Sequence, residues 1–175
     1  MKYFFVLVLT FAFLSGAVFA APPPAPAQKT GRTCLVSDLV GTWELKGFNS
    51  KTKVDPKNPS TWMYQRFLFD KKGNVKEMTS REPIEGNKAA VRKFENALST
   101  SKYGLDERGI LSVTKLELPY PEKCLCIYVM KDLPPETIAK VPEAKRAGLP
   151  RKGDVLLTYF GRDGKPHLSK NLRRV

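Results

Sequence analysis

Hydrophobic and polar residues alternate along much of this chain, beginning at residues 39–48. Gly41, Trp43 and Leu45 fall on one face of that segment, and Thr42 and Glu44 fall on the other. A period of two is typical of a half-buried β-strand, because successive side chains point to opposite faces of a sheet. The segment therefore predicts the first strand of the folded domain.

Seven further segments have strand patterns, and most of them are joined to their neighbours by hairpin turns. They cover residues 62–69, 75–81, 102–105, 110–118, 123–130, 155–160 and 167–174. Asp70, Asp106 and Asp163 each stand shortly before a glycine at such a turn, so we assign them to turn formation rather than to catalysis. Eight antiparallel strands predict an all-β up-and-down barrel, with an open two-layer sandwich as the alternative.

Two segments break the strand pattern. In residues 87–99, apolar side chains that include Phe94 and Leu98 recur at intervals of three and four. This spacing predicts one short amphipathic helix between the third and fourth strands. Residues 134–150 are rich in proline and predict a connection with one or two helical turns.

The N-terminus has the three-part layout of a secretory signal, with a basic start, an apolar run at 4–14 and small residues before position 21. The apolar run is shorter than the roughly 20 residues that a membrane span needs. Residues 21–33 begin with a run of proline and alanine and predict an extended linker. We therefore expect signal cleavage after residue 20, one domain at 34–175, and a secreted or periplasmic location.

Three cysteines follow the predicted signal: Cys34, Cys124 and Cys126. Thiols of exported proteins tend to pair, so we predict that Cys34 pairs with either Cys124 or Cys126 and that one buried thiol remains. A soft-metal site at Cys124 and Cys126 is the alternative, since residues i and i+2 of a strand share a face. No histidine or methionine cluster beside them supports it, and we predict no metal site.

The chain is strongly basic, with a net charge of +13 from 30 basic and 17 acidic residues. Such a surface attracts anionic lipids and envelope polysaccharides, although solubility alone is the simpler explanation. Export makes nucleic acid the least expected partner. We expect a monomer that binds no nucleic acid.

Catalytic patterns are absent from the sequence. His167 is the single histidine, and no glycine-framed serine accompanies it. No ligand spacing typical of zinc and no glycine-rich phosphate loop is present. We therefore expect His167 at the surface, no cofactor and no enzymatic activity.

Aromatic residues on the predicted strands are the candidate ligand-binding residues. In a barrel, about half of them face inward, where they either fill the core or line a cavity for an apolar ligand. The candidates are Trp62, Tyr64, Phe67, Phe69, Tyr103, Tyr128 and Tyr159.

The segment that contains Gly41-Thr42-Trp43 resembles the opening strand of lipocalin-like proteins, and the hairpins at 67–75 and 103–111 are similar to those of small bacterial lipocalin-like domains. The resemblance implies a barrel closed at one end by Trp43, an arginine of the last strand that covers it (Arg173 or Arg174), and a small, mostly apolar ligand further along. The helix after the third strand and the segment 134–150 depart from the family pattern. A basic envelope-associated protein with no internal ligand is the alternative function.

Overall fold

The computed structural model describes residues 30–51, 55–84, 86–99, 101–161 and 163–175. The predicted signal and most of the predicted linker lie outside these residues. The strands are β1 (Gly31–Thr33), β2 (Gly41–Ser50), β3 (Tyr64–Phe69), β4 (Asn74–Ser80), β5 (Ser101–Leu105), β6 (Ile110–Lys115), β7 (Glu122–Val129), β8 (Val155–Phe160) and β9 (Pro166–Arg174). The helices are α1 (Val36–Leu39), α2 (Lys88–Asn96), α3 (Pro135–Ala139) and α4 (Glu143–Arg146), with a 3-10 turn at Pro59–Thr61.

Strands β2 to β9 form a closed antiparallel barrel. Each of them pairs with the next strand along the chain, and β9 returns to pair with β2. Closure satisfies the backbone groups that an open sheet would leave at its edges. The predicted eight-stranded barrel is confirmed, and the open sandwich is not what the chain forms.

One strand, β1, is additional to the eight of the barrel and lies within the segment that the sequence predicts to be a linker. It pairs with β7, where Gly31 lies opposite Val129, and it continues the line of β6 along that neighbour. The backbone N–H of Cys34 then donates to the carbonyl of Cys126 at 3.1 Å. The N-terminal segment is thus attached to the barrel wall before β2 begins.

The first predicted strand begins later than its pattern indicated. Leu39 ends the short helix α1, and β2 starts at Gly41. Leu39 is fully buried. A buried apolar residue is expected at this position in a strand and in a helical turn alike, so its apolar character does not distinguish the two.

Helix α2 is confirmed between the strands that sequence analysis numbered third and fourth, here β4 and β5. It buries Phe94 but ends at Asn96, so Leu98 lies beyond it and is 91% exposed rather than part of an apolar face. Helix α2 connects β4 to β5, and these two strands have the shortest pairing in the barrel, with two paired positions. Ser99 Oγ donates to the Val75 carbonyl at 2.7 Å beside this pairing.

The up-and-down order gives the barrel two distinct ends. The closed end carries the β3–β4 and β5–β6 turns, the β7–β8 connection and the C-terminus; the open end carries the β2–β3, β6–β7 and β8–β9 connections and α2. At the β3–β4 turn, Asp70 Oδ1 accepts from the backbone N–H groups of Lys72 and Asn74, both at 2.8 Å. Gly73 has φ +81° there, so Asp70 has the predicted turn-forming role.

The connection at 134–150 contains α3 and α4, which are the one or two helical turns predicted there. It packs on the outside of β2 and β9. A Cβ atom on Gly47 would lie 2.8 Å from the Gly148 carbonyl oxygen, so only glycine permits this backbone approach. Asn171 Nδ2 of β9 donates to the same carbonyl at 3.2 Å. The connection therefore covers the outer wall near the closed end.

Candidate ligand site

Trp43 closes one end of the barrel. Its side chain is 1% exposed, and its indole Nε1 donates to the Leu39 carbonyl at 2.6 Å. Arg174 Cζ lies 4.9 Å from the centroid of the Trp43 ring, and Arg174 Nη2 donates to the Asp38 carbonyl at 2.8 Å. Gly41, with φ +135°, lies under the same guanidinium.

Arg174, not Arg173, is therefore the arginine that covers Trp43. Arg173 points to the outer wall, where its Nε and Nη2 donate to the Asp154 carboxylate at 2.9 and 2.7 Å. Adjacent residues of a strand face opposite sides, which explains why only one of the two can reach the tryptophan.

A disulfide between Cys34 and Cys126 ties α1 and the N-terminal segment to β7 near this closed end. Cys124 is the remaining thiol; it is buried, and burial raises its pKa to about 12. Because Cys126 Sγ is in the disulfide, it is not free for the metal site considered above. A disulfide of this kind is consistent with an extracellular or periplasmic protein.

The open end leads into a cavity of about 370 Å³ inside the barrel. Its inner wall combines apolar side chains with charged side chains of β4, β6, β7 and β9, and its rim carries polar side chains from the β2–β3 connection. The apolar lining is formed by Phe67, Phe69, Val75, Leu111, Val113, Leu157 and Leu168. Cavities of this size accept small organic molecules.

The seven aromatic candidates divide between the cavity and other parts of the fold. Phe67, Phe69 and Tyr159 line the cavity. Tyr103 is buried beneath them; its ring meets Phe69 edge-on at 5.1 Å, and its hydroxyl donates to the Asp70 carbonyl at 2.8 Å. It belongs to the core of the closed half.

The other three aromatic candidates lie away from the cavity. Trp62 lies on the β2–β3 connection, and its ring contacts the guanidinium of Arg81, which follows β4. Its Nε1 donates to the Pro56 carbonyl at 3.1 Å. Tyr64 begins β3 on the outer face and is 38% exposed. Tyr128 packs under Arg32, 4.8 Å from its ring, at the closed end.

Lys170 is a buried cation in the wall of this cavity. It is 3% exposed, and its Nζ donates to Gln65 Oε1 at 2.8 Å. The same Nζ lies 5.6 Å from the ring centroids of Phe67 and Tyr159. Burial lowers the pKa of Lys170, although Glu77 and Glu122 oppose this shift.

A second lysine in the cavity wall has quite different surroundings. Lys115 Nζ lies 2.9 Å from Glu77 Oε2 and 3.1 Å from Glu122 Oε2. Burial alone would lower the pKa of Lys115, but the two carboxylates outweigh it and the pKa is raised. The formal charges of the two lysines and the two glutamates, Lys115, Lys170, Glu77 and Glu122, sum to zero.

His167 lines the rim of the cavity and is partly exposed, so it is a surface residue that also contributes to the cavity. Its Nδ1 is buried and has no hydrogen-bond partner within the described part of the chain. The irregular pairing of β8 with β9 between Tyr159 and Phe160 lies next to it and disturbs the simple alternation.

Sequence reasoning missed the charged strand residues that line the cavity, His167 at its rim, and the amide that holds Lys170; these are Glu77, Lys115, Glu122, Lys170, His167 and Gln65. The signal for several of them was present. Lys170 lies between Leu168 and Leu172 at the positions that share its face, and Lys115 follows Leu111 and Val113 in the same way. A charged residue within an inward-facing series was the clue.

Comparisons with protein-family models, with curated proteins and with solved structures found no match to this chain. None of the helices within the described residues is long and apolar enough to cross a membrane. The described residues also contain no group of three or more histidine, cysteine or acidic side chains placed to hold a metal ion.

Proposed function

We propose that this protein is an exported, lipocalin-like carrier that binds a small, mostly apolar ligand inside its barrel. The observation that carries the proposal is the cavity of about 370 Å³, whose lining includes the predicted aromatic residues Phe67, Phe69 and Tyr159 and several aliphatic side chains. A solid interior would have favoured the alternative function. The closed barrel, the Trp43 plug and its covering Arg174 also agree with the lipocalin-like resemblance.

The site is suited to binding because its two ends have separate roles. Trp43 and the disulfide hold the closed end, so the opposite end can keep a cavity without loss of the fold. Burial of apolar ligand surface against these walls supplies about 25 cal/mol for each Å² removed from water. Ligand capture and release would take place through the open end.

Cavity filling tests the proposal. Val113 lines the cavity on β6, and the next residue, Thr114, is exposed on the outer face of the same strand. Val113→Phe should weaken the binding of a neutral solvatochromic naphthalene dye at least tenfold, because the added ring occupies cavity volume. Thr114→Phe is the matched control and should leave dye affinity unchanged.

Equal dye affinity in the two variants would contradict a ligand site inside the barrel. Mass spectrometry of the protein purified under native conditions from its exporting cell supplies a second test. A co-purifying small molecule that is lost in Val113→Phe but kept in Thr114→Phe would support the carrier function. Its repeated absence from the wild-type protein, together with no dye binding, would contradict it.

Binding to an anionic envelope surface is the second candidate. It is favoured by exposed basic residues of the β7–β8 connection, which include Lys140, Lys145, Arg151 and Lys152. Salt-sensitive sedimentation with phosphatidylglycerol vesicles would support it. Replacement of these four residues by glutamine should then abolish sedimentation without changing dye affinity.

A further inference from the structure

The two lysines in the cavity wall differ in what they pair with. Lys115 has two carboxylate partners at hydrogen-bond distance. Lys170 has a single hydrogen-bond partner, and it is the neutral amide oxygen of Gln65. An ammonium group carries three N–H donors. Of the described residues, only Gln65 accepts a hydrogen bond from Lys170, which leaves two donors without a protein acceptor.

A buried ammonium in this state is costly, because the charge has left water without a directly paired carboxylate, and Glu77 and Glu122 act on it only from their ion pairs with the other lysine. Lysine side chains usually avoid the cost by extending their head groups to the surface. Lys170 does not, since it is buried between the rings of Phe67 and Tyr159. Its position in the wall of an accessible cavity is therefore that of a binding group rather than of a structural ion pair.

Gln65 holds the ammonium in place. Its Nε2 donates to the carbonyls of Ser60 and Trp62 at 2.9 and 2.7 Å, and this fixes the amide so that Oε1 faces Lys170. The support comes from β3 and from the 3-10 turn that precedes it. A cation held in this way loses little freedom when a ligand arrives, which favours affinity.

From this arrangement we infer that the ligand carries a single anionic oxygen group, such as a carboxylate, that pairs with Lys170 while its apolar body packs against Phe69 and Leu111. This inference rests on the proposed carrier function. Glu77 and Glu122 belong to β4 and β7, whereas Lys170 belongs to β9, and neither carboxylate forms an ion pair with it. They would repel a second anionic group, so the site favours a monoanion.

His167 adds an independent observation. Its buried Nδ1 is a second polar atom in the wall of the same cavity that has no partner within the described residues. It lies on β9, the strand that carries Lys170. A ligand with a polar head would satisfy such a group, whereas a wholly apolar ligand would leave it unpaired.

Three ligands of equal chain length test the inference: decanoate, decanol and decylamine, measured by calorimetry at pH 7 with the oxidised protein. Decanoate should bind about tenfold more tightly than decanol, as expected for a hydrogen-bonded charge pair, and more tightly than decylamine. Lys170→Met should abolish the preference for decanoate, so that the ratio of decanoate to decanol affinity falls from about ten to about one. Lys123→Met, which removes a lysine from the outer face of β7, is the control and should keep the preference.

A second variant protects the test against misfolding of the first. Gln65→Glu supplies Lys170 with a carboxylate from the protein and should also remove the preference for decanoate, although the lysine is retained. Equal affinity of the wild type for decanoate and decanol would overturn the inference, as would a preference that survives in Lys170→Met. If either of these two results is found while decanol still binds, the carrier function stands and only the anionic ligand is ruled out. Failure of all three ligands to bind the wild type would contradict both the anionic ligand and the carrier function.

Discussion

The two ends of the barrel solve opposite problems with the same strands. At the closed end, Trp43 donates a hydrogen bond and is covered by Arg174, and the disulfide secures the N-terminal segment. At the open end, Lys170 is buried with one neutral partner and His167 Nδ1 has none among the described residues. Both of these polar groups lie in the wall of the cavity, and the closed end supplies stability that can offset their cost.

Removal of the disulfide should have the largest effect on this comparison. Cys34 and Cys126 are separated by 92 positions, so the loop-entropy account predicts that alanine at both lowers the free energy of unfolding by about 4–5 kcal/mol. Urea denaturation measures it. Cys124→Ala, on the same face of the same strand, is the control and should lose about 1 kcal/mol. A double variant no less stable than this control would show that the closed end does not depend on its covalent tie.

Truncation of the plug should come next. Trp43→Ala should lower the free energy of unfolding by about 3–4 kcal/mol, because it opens a cavity in the closed end and removes the ring beneath Arg174. Trp62→Ala, which truncates the half-buried tryptophan outside the barrel, should cost much less. If the two variants were equally stable by urea denaturation, Trp43 would not be the structural plug.

The open end should respond in the opposite direction. Lys170→Met should raise the free energy of unfolding at pH 7 by about 1 kcal/mol, since it replaces a buried ammonium that has no directly paired carboxylate by an apolar side chain of similar length. Because burial lowers the pKa of Lys170, the unfolded wild-type chain binds more protons than the folded chain as pH approaches about 10. The destabilising contribution of Lys170 should therefore shrink as pH rises, and the difference in the free energy of unfolding between Lys170→Met and the wild type should narrow. A variant less stable than the wild type would remove the proposed contrast between the ends.

A smaller effect should mark the closed end in acid. Hydrogen bonds from Arg32 hold the pKa of Asp38 below its ordinary value, despite an opposing contribution from burial. A depressed folded-state pKa stabilises the protein above the unfolded pKa, about 3.9, and the stabilisation is lost as pH falls through the folded value. Asp38→Asn should be slightly less stable than the wild type at pH 7. Urea midpoints that stay equally far apart below pH 4 would disagree with this assignment.

Strand periodicity and turn chemistry were enough to predict the barrel, because both are local. Val75 and Leu111 lie on strands that their alternating patterns indicated, and Asp70 makes the turn that its position before Gly73 suggested. The boundaries at Leu39 and Leu98 were wrong because an apolar residue next to an element can be buried, or left exposed, by contacts that are remote in sequence.

The site was predicted only in part, and the reason is geometric. Phe67, Phe69 and Tyr159 line the cavity, but Trp62 precedes β3 and Tyr64 lies on the face of β3 opposite to Phe67 and Phe69. Lys170 and Gln65 are 105 positions apart, and only barrel closure brings their side chains to 2.8 Å. No local pattern contains such a pair.

The sequence by itself determined the order of the strands, the turns between them, one helix and the participation of Cys34 in a disulfide, because hydrophobic period and residue chemistry act over a few positions. Tertiary structure alone decided that Cys126 rather than Cys124 is its partner, that Arg174 rather than Arg173 covers Trp43, and that a lysine is buried beside a cavity. These choices depend on strand register and on closure. A shift of one residue in register exchanges the inner and outer faces of a strand, and only the completed barrel fixes which face is inside.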